Sequence, residues 1–153
     1  MSNRFKGSRK EVRALSTYVK LVRATETASV RIHRHLSAVS LTSGQFGVLE
    51  ALLHLGPLNP CVLAQKHLQS SGNVTMIVDN LEKRSLVRRE PSKEDRRRIM
   101  IHLTEDGERL IREVFPRHAQ AVEAEMSRLS PDEQEELGRL CRKLGLGDAD
   151  VSH

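Results

Sequence analysis

Glu94 and Asp95 are followed directly by Arg96, Arg97 and Arg98. Residues 83–98 hold eight basic and three acidic side chains, a local excess of +5 equal to the net charge of the whole 153-residue chain. Guanidinium groups packed this densely repel one another and suit an anionic partner. A flat, weakly hydrated arginine fits the concentrated negative potential of a narrow DNA minor groove, which makes Arg97 and Arg96 the candidates there. Just upstream, helical spacing over residues 71–84 sets Val74, Ile77 and Leu81 on one face. Gly72, Thr75, Met76, Asp79 and Lys83 lie opposite, flanked by Asn73 and Asn80. The hydroxyl and amides of Thr75, Asn73 and Asn80 can hydrogen-bond base edges, Met76 can touch a thymine methyl, and Lys83 can reach phosphate. Ser70 and Ser71 sit at the start of this helix, where backbone N–H groups and the positive end of the dipole favour a phosphate. Asp79 is poorly suited to face phosphates and is expected in an intramolecular salt bridge.

Other chemistries find less support. Two cysteines, Cys61 and Cys141, are too few for a disulfide scaffold and match no zinc-ligand spacing. Cys61 is the second residue of its predicted helix, near the positive end of the dipole; it is either a redox or quinone-alkylation sensor or a small filler. Cys141 falls on an apolar stripe and is expected in the core. His33 and His35, two apart on a helix, should face different ways, and His54, His67, His102 and His118 are scattered, so neither a metal nor a cofactor is expected. There is no Gly-rich phosphate loop, no Gly-x-Ser-x-Gly motif and no paired general-acid carboxylates, so the chain does not read as an enzyme.

The elements that must position these residues are mostly helical. Hydrophobic residues make up 38% of the chain and aromatics 3%, so the core is aliphatic. From Ser8 to Ser43 there is neither Gly nor Pro, and Val12, Leu15, Val19, Val22, Ala28, Ile32, Leu36 and Val39 recur at helical spacing. The pattern predicts one long helix of ~45 Å at ~1.5 Å per residue, too long for a compact domain to cover and therefore in need of an outside partner. Thr42 with Gln45 forms a capping box and Leu41 with Phe46 a hydrophobic staple, opening a helix that stops at Gly56-Pro57. Asn59-Pro60 starts a short helix to about Leu68, and a polar turn at Gln69-Ser70-Ser71 leads into the helix described above.

After Leu86 the period becomes two. Leu86 to Glu90 and Ile99 to Leu103 read as antiparallel strands around a charged tip. Thr104 caps the next helix, which Pro116 should kink or divide. Ser130-Pro131-Asp132-Glu133 is a further capping box, for a helix carrying Leu137, Leu140 and Leu144. Helix-turn-helix, strand, basic hairpin, strand is the winged-helix order in a mainly α (α+β) chain. No apolar run reaches the ~20 residues of a membrane span and the N-terminus lacks the apolar segment of a signal peptide, so no membrane partner and a cytoplasmic location are expected.

The residues themselves resemble the MarR family of bacterial transcriptional regulators. The resemblance rests on Leu63-Ala64, on Val78-Asp79-Asn80-Leu81-Glu82-Lys83-Arg84, and on Glu94-Asp95-Arg96-Arg97-Arg98 followed by Leu103-Thr104-Glu105-Asp106-Gly107. It runs from about Lys20 to Leu144. Ser71-Gly72-Asn73-Val74-Thr75 and the run through Arg84 look most like the branch that responds to quinones and catechols. Peroxide-sensing members rely on a reactive cysteine in the first long helix, and this chain has none there.

The resemblance implies a winged helix-turn-helix with interlocking N- and C-terminal dimerisation helices. The second motif helix would enter a major groove, with the wing beside a minor groove and Asp95 pairing with Arg97 to orient it. Expected boundaries are one MarR-type domain over 1–153, with dimerisation helices at 8–40 and 117–146 and the winged helix-turn-helix at 41–104. Residues 105–116 start the connecting helix and 147–153 are a disordered tail. Ser85 departs from the family, which usually has Gly there; a left-handed backbone at that position strains Ser by up to ~1 kcal/mol.

The expected partners are double-stranded DNA as a pseudo-palindromic operator, a second copy of the chain, and a small aromatic, phenolic or quinone-type effector with His33 and Phe46 at its pocket. The expected role is repression. An effector-independent DNA-binding regulator, and a winged-helix module that holds an acidic protein, remain open alternatives.

Overall fold

A computed structural model describes residues 5–67 and 71–146, without the side chains of His67, Ser71 and Leu146. In chain order it contains α1 (Arg9–His33), a 3-10 segment (Arg34–Val39), α2 (Ser43–Leu55), α3 (Pro60–His67), α4 (Ser71–Lys83), β1 (Val87–Pro91), β2 (Ile99–Leu103), α5 (Glu105–Met126) and α6 (Pro131–Leu146). Two compact units result: residues 33–119, and residues 1–32 with 120–153. Among the described residues no single helix is long and apolar enough to cross a membrane.

Residues 33–119 form the winged unit, whose core is aliphatic around one ring. Leu49, Leu63, Val74, Leu81, Ile101 and Ile111 are fully buried, with Phe46 beside them at 1% exposure. Local signals place the helices around this core. Thr42 Oγ1 accepts the Gln45 N–H and Gln45 Oε1 accepts the Thr42 N–H, both at 3.1 Å, which is the expected capping box. Asn59 Oδ1 accepts the Val62 N–H at 2.9 Å and opens α3. β1 and β2 pair antiparallel with Val87 opposite Leu103 and Pro91 opposite Ile99. Leu58 adds a rung the sequence did not suggest, exchanging backbone hydrogen bonds with Ile101 at 2.8 and 3.3 Å, so the wing is anchored to the loop between α2 and α3.

In the other unit, Ser8 and Glu11 box the start of α1, and Ser130 and Glu133 box the start of α6. Arg31 pairs with Glu125 at 2.7 Å and fastens α1 to α5. Burial is scarce: α1 has no buried residue, and Leu137, Leu140 and Leu144 of α6 are 38%, 47% and 69% exposed.

Several expectations give way. The long N-terminal helix ends at His33 rather than running through 40, because the chain tightens into the 3-10 segment and Ser40 turns left-handed, at φ 53°, with its N–H on Leu36 O and Ser37 O. Neither Gly nor Pro marks this stop. Pro116 does not divide α5, which continues to Met126. Ile111 and Val114, buried five and two residues earlier, hold the helix in place, while Pro116 itself is exposed. Cys141 is exposed rather than in the core, since the stripe it belongs to is not covered within one chain. The tail over 147–153 lies outside the described residues.

Ser85 adopts φ 57°, the left-handed conformation expected there. Its N–H still bonds to Glu82 O at 2.9 Å and the Leu86 N–H to Leu81 O at 3.0 Å, so the strained residue closes α4. Relief of strain, of order 1 kcal/mol, is partly offset by the greater unfolded-state entropy of Gly. Ser85→Gly is therefore expected to stabilise the protein by about 0.5 kcal/mol and raise Tm by roughly 1–2 °C in a thermal melt.

Candidate nucleic-acid interface

α4 is amphipathic as its sequence requires. Val74 and Leu81 are fully buried, Val78 is at 1% and Ile77 at 8%, while Met76 is 57% exposed. Thr75, Asp79, Asn80 and Lys83 are exposed on the opposite side, with Asn73 half-buried at its edge. The outward face thus carries the hydroxyl, amide, thioether and ammonium groups that can read or grip a duplex. Ser70 lies outside the described residues. Ser71 begins α4, but its side chain is not described.

The wing is locked to α4 by an ion network. Arg89 of β1 donates to Asp79 Oδ1 at 2.5 Å and to Glu82 Oε1 at 2.8 Å. Burial opposes the Arg89 charge, but hydrogen bonds and attraction from Asp79 and Glu82 outweigh it and push its pKa up. Asp79 therefore has the intramolecular partner expected of it. At the wing tip, Ser92 N–H donates to Arg98 O at 2.7 Å and Arg98 N–H to Asp95 O at 2.9 Å. Asp95 Oδ1 accepts the backbone N–H of Arg97 at 3.0 Å, whereas its side-chain ion pair, at 3.9 Å, is with Arg98. The carboxylate holds Arg97 through the main chain rather than by pairing with its guanidinium. Short-range turn geometry wins here because Asp95 lies two residues before Arg97, the spacing of an Asx turn.

The basic cluster divides by what each cation touches. Arg84 donates to Ser40 O at 2.7 Å and Val39 O at 3.2 Å, capping the 3-10 segment. Arg88 bonds to Glu90 and to Leu103 O. Arg89 and Arg98 have the partners given above. Among the described residues, the Lys83, Arg96 and Arg97 side chains form no hydrogen bond or ion pair. Sequence alone could not separate these two groups, because a cation's partner depends on distant carbonyls and carboxylates.

Cys61 is exposed and lines an open cavity of about 460 Å³ with Asn59, Pro60, Thr75, Arg98 and Ile99. Phe46 is a core side chain. His33 meets it through a residue that sequence reasoning left scattered, His118, whose ring lies 4.4 Å from Phe46 and 5.6 Å from His33. His35 Nε2 is 3.3 Å from His118 Nδ1. His33 and His35 thus do not diverge: the change from α1 to the 3-10 segment brings both rings to His118. Among the described residues no group of three His, Cys, Asp or Glu side chains is placed to hold a metal ion.

Comparison with known proteins agrees with this geometry. The MarR family signature matches residues 41–99. YkoM of Bacillus subtilis, an uncharacterised HTH-type transcriptional regulator, is 34% identical over 134 residues, covering 88% of this chain and 87% of that protein. MhqR, an HTH-type transcriptional regulator of the same organism, is 32% identical over 134 residues, covering 88% and 92%. Among solved structures, BpsR of Bordetella bronchiseptica, whose DNA binding is regulated by 6-hydroxynicotinic acid, superposes with a TM-score of 0.76 at 28% identity, covering 85% of this chain and 91% of its own. A helix-turn-helix whose outer face and basic wing share one unit, in a chain this similar to known regulators along most of its length, belongs to the MarR family of winged helix-turn-helix DNA-binding transcriptional regulators.

Proposed function

We propose that the protein is a homodimeric repressor that occupies a pseudo-palindromic operator and is released by a small aromatic, phenolic or quinone-type effector. One observation carries the DNA contact: among the described residues, Lys83, Arg96 and Arg97 have no hydrogen-bond or ion-pair partner while the neighbouring arginines are engaged. α4 would enter the major groove with Asn73, Thr75, Met76 and Asn80 toward base edges, and Arg96 and Arg97 would follow the adjacent backbone and minor groove. Ser70 and Ser71 would meet phosphate at the start of α4. The second copy is supported by the open apolar faces of α1 and α6, which in water cost about 25 cal/mol per Å² left uncovered. Two copies would set half-sites about one helical turn apart.

The effector reading has the support of BpsR, which responds to an aromatic acid, and of the likeness to MhqR. His33 and Phe46 are the positions proposed for it, and Cys61 is the proposed point of attack for an electrophilic quinone. The test is fluorescence anisotropy on a duplex from the region upstream of the protein's own gene, with light scattering for mass. Retention that is specific and salt-dependent, on a dimer, is expected, with release by a phenol or quinone. Retention that no such compound abolishes would establish the effector-independent regulator. Absence of specific retention would leave the acidic-protein module. If Cys61→Ser is still released by a quinone, the thiol is not the sensor.

A further inference from the structure

Three imidazoles converge in the winged unit, two of them two residues apart and the third 83 residues beyond His35. His33 closes α1, His35 lies in the 3-10 segment, and His118 comes from α5. The His33 and His118 rings are stacked, 24° apart in plane, and His35 is hydrogen-bonded to His118 at 3.3 Å. Phe46 of α2 and Phe115 of α5 complete the cluster, with ring centroids 4.4 and 6.3 Å from His118. Among the described residues, the charged and titratable neighbours are Arg117 of α5, which acts on His35, and His54 of α2, whose ring stands 5.0 Å from Phe115. All of these groups are bases. An imidazole–imidazole hydrogen bond needs a lone pair on one ring, so it exists only while one of the two is neutral.

The cluster has a direct connection to the DNA-reading helix. The 3-10 segment that carries His35 ends at the Val39 and Ser40 carbonyls, and both accept from Arg84, directly after the end of α4. Whatever loosens the segment at its His35 end therefore loosens a tether of α4 at the other.

We propose that His35 and His118, with the His33 ring stacked on them, form a proton-sensitive latch that holds the 3-10 segment and α5 against α2 until His35 and His118 are both protonated, so that acidification releases the Arg84 tether and weakens operator binding. This rests on the DNA-binding reading above. Burial first, then electrostatic repulsion from His33 and Arg117, lowers the pKa of His35; burial, then repulsion from His33 and His35, lowers that of His118. A folded-state pKa below the unfolded 6.5 means that the unfolded chain takes up the proton first. The stability these groups contribute is present above pH 6.5 and is lost as pH falls through their depressed folded-state values. The sign is diagnostic, because protonating histidines adds positive charge and would otherwise tighten binding to a polyanion.

The experiment measures Kd by anisotropy on the duplex from upstream of the gene, at constant ionic strength, from pH 7.5 to 5.5. The wild type is expected to lose affinity by about five-fold or more, within the usual range of coupling between sites. His118→Gln keeps a hydrogen-bonding side chain that does not titrate; it should match the wild type at pH 7.5 and vary less than about two-fold. His102→Gln, removing a wing histidine 3.5 Å from Glu90, should leave the wild-type loss intact. If His118→Gln does not fold, His35→Gln takes its place. A wild-type Kd that is constant or tightens on acidification overturns the latch, as does an unchanged loss in His118→Gln. Thermal melts over the same pH range need no DNA: the wild type should lose Tm more steeply than His118→Gln. Parallel slopes overturn the latch even if the duplex is never bound, whereas a steep wild-type slope without DNA retention overturns only the operator reading.

Discussion

Arg97→Ala is expected to lower operator affinity by one to two orders of magnitude and to reduce the slope of log K against log salt by about one. The wing tip explains why the effect should fall on binding alone. Asp95 holds the Arg97 main chain by its N–H at 3.0 Å, so truncating the side chain leaves the turn in place. The guanidinium itself has no internal partner among the described residues, so its removal orphans no buried group. Loss of one well-placed contact to DNA costs about 1–3 kcal/mol, which is the stated range in affinity. Arg89→Ala is the contrasting case. It removes the bonds to Asp79 and Glu82 that fasten β1 to α4, and should lower Tm as well as affinity. A salt titration by anisotropy with parallel melts separates the two. An Arg97→Ala isotherm superimposable on wild type would remove the wing from the interface.

Gly107→Ala should be the most destabilising of the small substitutions. A Cβ at Gly107 would stand 1.9 Å from Leu86 O, 2.9 Å from Leu86 C and 3.3 Å from Leu103 Cδ2. The two nearest atoms are backbone, fixed from several directions. Thr104 N–H donates to Leu86 O at 3.1 Å, Thr104 Oγ1 donates to Ser85 O at 2.6 Å, and that hydroxyl accepts the Gly107 N–H at 3.0 Å. Helix propensity favours Ala by about 1 kcal/mol, but forcing a methyl against rigid backbone costs more, typically 1–3 kcal/mol and above that for a clash this close. The net loss is expected to be about 2–3 kcal/mol, seen as a fall in Tm of roughly 5–10 °C. An unchanged melt would mean that α5 can shift along Leu86 freely.

Local chemistry was legible in the sequence because it is carried by neighbours. Thr42 with Gln45, Asn59 before Pro60, and Ser130 with Glu133 each declare a helix start within four residues, and the structure forms all three. The two faces of α4 and the strand period around Ile101 follow the same logic, whereas the left-handed Ser85 was expected only from the family resemblance. What escaped was long-range or lacked punctuation. His118 lies 83 residues from His35, and no spacing rule connects them. Arg84 counts toward the basic excess of residues 83–98, and nothing in that count shows that the Ser40 carbonyl, 44 residues earlier, takes its guanidinium. α1 stops at His33 with no breaker residue in sight, because the signal is a tightening of the turn rather than a Gly or Pro. Cys141 reads as core only if a stripe of leucines is covered by its own chain, and here that stripe is open.

The small sheet bears on a different matter, the behaviour of the protein at high concentration. β2 has β1 on one side and Leu58 on the other, which leaves β1 as an edge strand. An edge of free N–H and C=O groups is a template for another chain to add to. Here Glu82 Oε2 takes the Arg89 N–H at 3.2 Å, Pro91 has no N–H to offer, and Arg88, Arg89 and Glu90 place charge along the strand. The carboxylate that steadies the wing therefore also blocks strand addition. A substitution at Glu82 should consequently reveal itself as concentration-dependent aggregation even where the fold and its DNA contacts survive.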